Sequence, residues 1–147
     1  MSEPLWIDAA LVLAIRDRQL AEHGGAEGLR DESLLHSALQ RAPNHLAYAR
    51  ADTVELAAQY TAGILKNHPF VDGNKRTGFV VGILFLELNG YRFKASEEAA
   101  AQAVLDLASG RMDEHGYCAF LRTNSSPDEL SGPRPSRRGG NVSEGTQ

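Results

Sequence analysis

Apolar residues fall at helical spacing through most of the first 124 positions, and turn-forming residues mark the breaks between runs. Leu11, Val12, Ile15 and Leu20 share one face of a helix that Asp8 can cap and Gly24-Gly25 ends. A second helix begins at Asp31, carries Leu34, Leu35 and Leu39, and is predicted to stop before Pro43, while residues 42–51 show no clear period. Asp52-Thr53-Val54-Glu55 has the capping-box pattern, opening a helix over 52–66 that runs through Leu56, Tyr60, Ile64 and Leu65 to the break at His68-Pro69. The next helix spans 74–88. Its Val80, Val81, Ile83, Leu84, Phe85, Leu86 and Leu88 leave almost no polar face, which predicts a central, buried helix with the others packed round it. After Asn89-Gly90, Tyr91-Arg92-Phe93 reads as a short strand, Ser96 caps a helix to Ala108, and Asp113 caps a last one to about Arg122. The pattern predicts a mainly α domain, a compact helical bundle with at most a small β-hairpin or flap.

Composition changes after Asn124. Ser, Pro, Gly and Arg dominate 125–147, with only Leu130 and Val142 as large apolar residues, too little to offset the entropy of ordering. The expected organisation is one domain over 1–124 and a flexible tail over 125–147. A chain of 147 residues, 42% hydrophobic, is long enough for such a domain to bury about two thirds of its unfolded surface. Fifteen Lys and Arg against nineteen Asp and Glu give a net charge of −4, which speaks against general nucleic-acid binding and requires any anion to be held locally. The one cysteine, Cys118, lies in an apolar run and reads as a small hydrophobe. The longest apolar stretch, residues 79–86, is far too short to span a bilayer, and no basic segment followed by an apolar core opens the chain. A soluble cytoplasmic protein is expected.

Candidate chemistry concentrates in His68-Pro69-Phe70-Val71-Asp72-Gly73-Asn74-Lys75-Arg76-Thr77. Pro69 stiffens the backbone beyond His68, and Gly73 permits a sharp turn into the next helix. The first N–H groups of that helix lack intrahelical acceptors and lie at the positive end of the macrodipole, so the helix start suits a phosphate. Lys75 supplies a mobile charge there, and Arg76 a planar fork. A histidine exchanges protons near neutral pH, so His68 can take the proton from an attacking hydroxyl. Asp72 is an oxygen ligand suited to Mg²⁺, which binds through one carboxylate together with substrate phosphates. Phe70 is expected to anchor the loop in the core. Taken singly, each of these residues has an ordinary explanation: Asp-Gly is turn chemistry and Asn74 is a common helix cap. Their order and spacing together favour a phosphoryl- or nucleotidyl-transferring site. His23, His36, His45 and His115 stand apart from one another with no zinc spacing.

The stretch from His68 to Arg76 resembles the signature of the Fic/Doc (Fido) superfamily, His-x-Phe-x-Asp/Glu-Gly/Ala-Asn-Gly/Lys-Arg, at every position. Gly28-Leu29-Arg30-Asp31-Glu32-Ser33-Leu34-Leu35-His36-Ser37-Ala38-Leu39 and Leu84-Phe85-Leu86-Glu87-Leu88-Asn89-Gly90-Tyr91 resemble the flanks of its death-on-curing (Doc) toxins. The resemblance covers roughly 5–124 and implies a Fido-type bundle. It implies His68 as general base, Asp72 as the Mg²⁺-associated carboxylate, and Gly73, Asn74, Lys75, Arg76 and Thr77 as phosphate-binding residues, with Arg76 also in the catalytic set. Residues 42–51 fall where relatives place a flap that aligns the target segment.

Two departures from the AMP-transferring members point to a subclass. Lys75 stands where they have Gly, and Phe79 where they have a second Arg. The first keeps a phosphate chain from approaching the backbone closely, and the second removes a β/γ-phosphate clamp. Doc-type members share both features. The resemblance therefore implies a kinase that moves the γ-phosphate of ATP to a Ser or Thr of a translation factor such as elongation factor Tu, restrained by a separate antitoxin. Adenylyl transfer and an inactive phosphate-binding module are the alternatives. An inhibitory Ser/Thr-x-x-x-Glu-Gly/Asn element is missing, since Glu129, four residues after Ser125, is followed by Leu130.

Overall fold

The computed structural model of the protein describes residues 3–128; the expected tail from 129 onward lies outside the described residues. Six helices and two short strands follow in the order α1 (Ala9–His23), α2 (Glu32–Tyr48), α3 (Thr53–Asn67), α4 (Asn74–Leu88), β1 (Tyr91–Phe93), α5 (Glu97–Ser109), α6 (Glu114–Thr123) and β2 (Ser125–Pro127). Five helices begin as their cap residues dictate. Asp8, Asp31, Asp52, Ser96 and Asp113 each accept a backbone N–H from the first turn at 2.8 to 3.0 Å. The capping box of α3 is complete, with the Glu55 side chain accepting the Asp52 N–H at 2.9 Å.

Packing decides the one boundary that local chemistry misplaces. The second helix does not stop before Pro43 but runs through it to Tyr48, where the Ala49 N–H closes it on the His45 carbonyl. Proline deprives the Leu39 carbonyl of its usual donor. Burial offsets that loss, because Ala38, Leu39 and Ala42 are buried and Leu46 packs on the core. The α2 backbone also lies so close to α3 that a methyl on Gly63 would sit 2.8 Å from the Ala38 carbonyl oxygen.

The centre of the bundle is a pair, α3 and α4. Nine residues of α3 and seven of α4 are buried, so α3 is the more enclosed, packing against α2, α4, α5 and α6. Tyr60, Ile64, Val81, Phe85, Leu86, Tyr117 and Leu121 are fully buried, and each large side chain among them stabilises the fold by about 1.5–3 kcal/mol. Buried Thr61 donates its hydroxyl to the Gly78 carbonyl at 2.8 Å, tying the two helices together. The predicted strand at 91–93 forms, but its antiparallel partner is Ser125–Pro127, beyond the expected start of the tail. The Lys94 N–H to the Asn124 carbonyl and the Asp128 N–H to the Gly90 carbonyl, both 2.8 Å, extend this ladder. Residues 125–128 therefore belong to the folded domain. The strands are separated in sequence by α5 and α6, so they form a two-stranded sheet and not a hairpin.

No described helix is long and apolar enough to cross a membrane. Cys118 is partly exposed and unpaired, and burial pushes its thiol up.

A methyl at Gly82 would collide with Thr61 Oγ1 and lie 3.1 Å from the Ala57 carbonyl oxygen. Gly82→Ala is expected to lower stability by about 1–3 kcal/mol, read as an earlier midpoint in denaturant unfolding. Glu114 joins α6 to α2 and α3 through Arg41 at 2.7 Å and Gln59 at 3.3 Å, with Lys66 at 3.8 Å. Burial pushes the Glu114 carboxyl up, but the Arg41 hydrogen bond and the Arg41 and Lys66 charges outweigh it and leave the group below its usual range. Its stabilising contribution is thus present above the ordinary glutamate range and fades as pH falls through the lowered value. Glu114→Gln should flatten the acid side of a melting-temperature profile against pH.

Candidate active site

The site is the turn from α3 into α4. His68 ends α3 with its N–H on the Ile64 carbonyl at 2.9 Å and adopts φ 53°, the one non-glycine positive φ among the described residues. That conformation costs a side-chain-bearing residue about 1–2 kcal/mol, so its surroundings must impose it. They do so through a clasp. Arg30 Nε donates to the His68 carbonyl at 2.8 Å and Arg30 Nη2 to the Asn67 carbonyl at 3.0 Å. The Pro69 carbonyl accepts the Arg30 and Asp31 N–H groups, at 2.6 and 3.3 Å, and the Val71 N–H reaches the Gly28 carbonyl at 3.0 Å. Phe70, 1% exposed, anchors the loop as expected and forms a β-bridge with Leu29.

The flap assignment is thereby corrected. The segment that lies along the motif is 26–31, not 42–51. Residues 42–48 belong to α2, which starts beside the loop and carries them on the order of 20 Å away from it. The positive-φ glycines Gly25 and Gly28 let the clasp approach so closely: a methyl on Gly25 would sit 3.1 Å from Asp72 Oδ2, and one on Gly28 3.1 Å from the Val71 side chain.

Asn74 is expected at the phosphate, and the structure gives its side chain a different occupation. It is 4% exposed, and its Oδ1 accepts the Phe70 N–H at 3.1 Å while Nδ2 donates to the Phe70 carbonyl at 2.9 Å and to His68 Nδ1 at 3.1 Å. Both amide hydrogens are used, and the Phe70 N–H fixes which end is oxygen. His68 Nδ1 is then an acceptor, so the neutral ring carries its hydrogen on Nε2. His68 itself is exposed.

Asp72 is exposed, with Oδ1 accepting the Gly73 N–H at 2.8 Å and Oδ2 the Ala26 N–H at 3.3 Å. Those two bonds, Ala26 first, hold its carboxyl below the usual carboxylate range against slight desolvation, with the Arg16 and Arg76 charges adding to the effect. Each oxygen retains a lone pair, and a lone carboxylate fits a cation that keeps most of its waters; no group of three metal-ligating side chains occurs among the described residues. Gly73, at φ 80°, begins α4 without a side-chain cap. Exposed Lys75 and Arg76 flank that uncapped start. Thr77, in the first turn of α4, is 0% exposed, and its hydroxyl has no hydrogen-bond partner among the described residues.

The sequence reading passes over Arg16, which is 4% exposed on α1 and donates to the Asp72 and Ala26 carbonyls. Its signal was present as an arginine one turn after Val12 on an apolar face. A cleft of about 760 Å³ between α3 and the α5–α6 turn contains none of the loop residues, whereas one of about 590 Å³ borders the loop through Arg16 and Phe70.

Asn74→Ala would leave the buried Phe70 N–H and carbonyl without their side-chain partner. The expected cost is about 1–3 kcal/mol, together with faster amide exchange at Phe70 measured by NMR.

The Fic/DOC family model matches residues 6–86. The chain is 31% identical over 112 residues to the protein kinase doc of Escherichia phage P1, covering 76% of this chain and 88% of that protein. It is 36% identical over 75 residues to the toxin Doc of Mycolicibacterium smegmatis, covering 49% of this chain and 57% of that relative. A solved structure, the N-terminal Fic domain of a VirB-translocated Bep effector protein from Bartonella quintana, aligns with 67% of this chain and 47% of its own length at 17% identity and a TM-score of 0.48. The family match takes in α1, the clasp, the motif loop and nearly all of α4, and the chain belongs to the Fic/DOC family.

Proposed function

We propose that this protein is a Doc-like toxin that transfers the γ-phosphate of ATP to a Ser or Thr hydroxyl of a translation factor, elongation factor Tu or one like it, in the cytoplasm, and so blocks translation. The observation that carries the reading is the side-by-side placement of His68, Asp72 and the uncapped start of α4 on one rigid turn. The names of the two Doc relatives support the toxin and kinase parts of it.

In the reaction the target oxygen forms a bond to the γ-phosphorus as the bond to the β-phosphate oxygen breaks, releasing ADP. The hydroxyl proton goes to His68. Because Asn74 engages Nδ1 in the free protein, the ring turns out of that contact to present a lone pair. The N–H groups at the start of α4, with Lys75 and Arg76, neutralise charge that develops on the phosphoryl oxygens. Asp72 would hold Mg²⁺, which would supply charge neutralisation on the nucleotide phosphates.

Phe79 supports γ-phosphoryl over adenylyl transfer. Its ring packs edge-to-face on Phe93 at 5.9 Å, and Phe93 in turn meets Phe120 at 5.9 Å, so the position of the second arginine in AMP-transferring members is part of an aromatic cluster here. A cognate antitoxin is proposed as the restraining partner, in keeping with the toxin relatives.

The test is to incubate the protein with Mg²⁺, ATP and elongation factor Tu and to weigh the target. A gain of about 80 Da is expected, falling by a factor on the order of 10²–10⁴ in His68→Ala. A gain of about 329 Da would replace the kinase reading with adenylyl transfer, and an unchanged rate in His68→Ala would remove the proposed base.

A further inference from the structure

Arg16 is buried and acts on the Asp72 carboxylate through its charge without touching it. Among the described residues it takes part in no ion pair, and its three hydrogen bonds all go to backbone carbonyls. Nε and Nη2 reach the Asp72 carbonyl at 3.2 and 3.1 Å, and Nη2 also reaches the Ala26 carbonyl at 2.9 Å. The guanidinium carbon lies 4.7 Å from the centre of the Phe70 ring. A charge placed in a core on these terms is costly unless its geometry is used, since an apolar residue of similar size would fill the space.

The two carbonyls it grips are not independent. Ala26, held through its carbonyl, donates its N–H to Asp72 Oδ2, and Asp72 is held through its own carbonyl. Arg16, Ala26 and Asp72 thus close a ring of hydrogen bonds in which one side chain on α1 fixes both the backbone and the carboxylate of Asp72. Crowding adds to the ring, because a methyl on Gly25 would sit only 3.1 Å from Oδ2. We propose that Arg16 is a positioning residue for Asp72, setting the direction in which its carboxylate meets a divalent cation bound to nucleotide. This role rests on the transferase reading but not on which phosphate is transferred.

A lysine at 16 would keep the charge and lose the planar fork that reaches two carbonyls at once, so Arg16→Lys separates field from geometry. The full-length protein, Arg16→Lys, Arg16→Met and Asp72→Asn are titrated with ADP by calorimetry, with and without Mn²⁺, and melted in parallel. Both Arg16 variants are expected to bind Mn²⁺–ADP about 10–100-fold more weakly, as Asp72→Asn does, with cation-free ADP binding unchanged. A lower melting temperature with Mn²⁺–ADP affinity within about twofold of wild type would make Arg16 purely structural and overturn the proposal. Wild-type affinity in Arg16→Lys would assign the effect to charge and overturn it too, and should Arg16→Met fail to fold, Arg16→Lys alone decides. If Mn²⁺ does not strengthen ADP binding to the wild type, Asp72 is no cation carboxylate and the proposal falls with that assignment. Cation-dependent binding without phosphoryl transfer to elongation factor Tu removes the kinase reading and leaves this one intact.

Discussion

Six residues, 68–73, must turn the chain between α3 and α4, and the bonds from the Asn74 side chain to both backbone groups of Phe70 decide how they do so. The turn runs between the two most enclosed helices, where an unpaired backbone group is expensive. With Phe70 seated in the core and its N–H and carbonyl satisfied from within, the chain has little freedom to place His68 elsewhere. The left-handed backbone at His68 follows from this constraint, and Arg30 and the 26–31 clasp hold it from outside. The scaffold of helices therefore serves the turn as much as the turn serves the scaffold.

Burial divides labour within the motif. Pro69, Phe70, Asn74 and Thr77 are buried and hold the loop in place; His68, Asp72, Lys75 and Arg76 are exposed and carry the groups to which the proposed reaction gives its chemistry. Nearly every structural residue of the motif adjoins a chemical one, so the motif reads as unbroken in sequence while its members face opposite directions. This division explains why Asn74, which sequence logic sends to the phosphate, instead fixes the hydrogen on the imidazole. A buried carboxamide between a backbone and a ring nitrogen has no hydrogen left to offer a ligand.

Helix starts were legible because caps are local: Asp8, Asp31, Asp52, Ser96 and Asp113 act within three residues of themselves. The motif was legible for a related reason, since its residues are contiguous. What depends on distant parts of the chain was not. Pro43 reads as a stop until the burial of Ala42 and Leu46 against α3 is known. Ser125 reads as the start of a tail until its pairing with Tyr91–Phe93 is known. The clasp at 26–31 contains no hydrophobic period, and only its hydrogen bonds to residues 67–72 reveal what it does. Arg16 was hidden by its own chemistry, because an arginine on an apolar face is ordinarily read as a long side chain reaching solvent.

The uncapped start of α4 gains meaning from the other five helices. Each of them spends a side-chain oxygen on its first turn, which satisfies one N–H and partly cancels the positive end of the dipole. At α4 the residue in that position is Gly73, which has no side chain to give, and the neighbouring carboxylate turns both oxygens back to Ala26 and Gly73. In a chain with a net charge of −4, long-range attraction for an anion is absent, and salt screening would limit it to about 10 Å in any case. On the proposed reading, phosphate must be held at contact distance. Free N–H groups, one lysine and one arginine at a single helix end are the local means available, and in the proposed reaction a loop already fixed by its own hydrogen bonds would let them act without reorganising as charge develops.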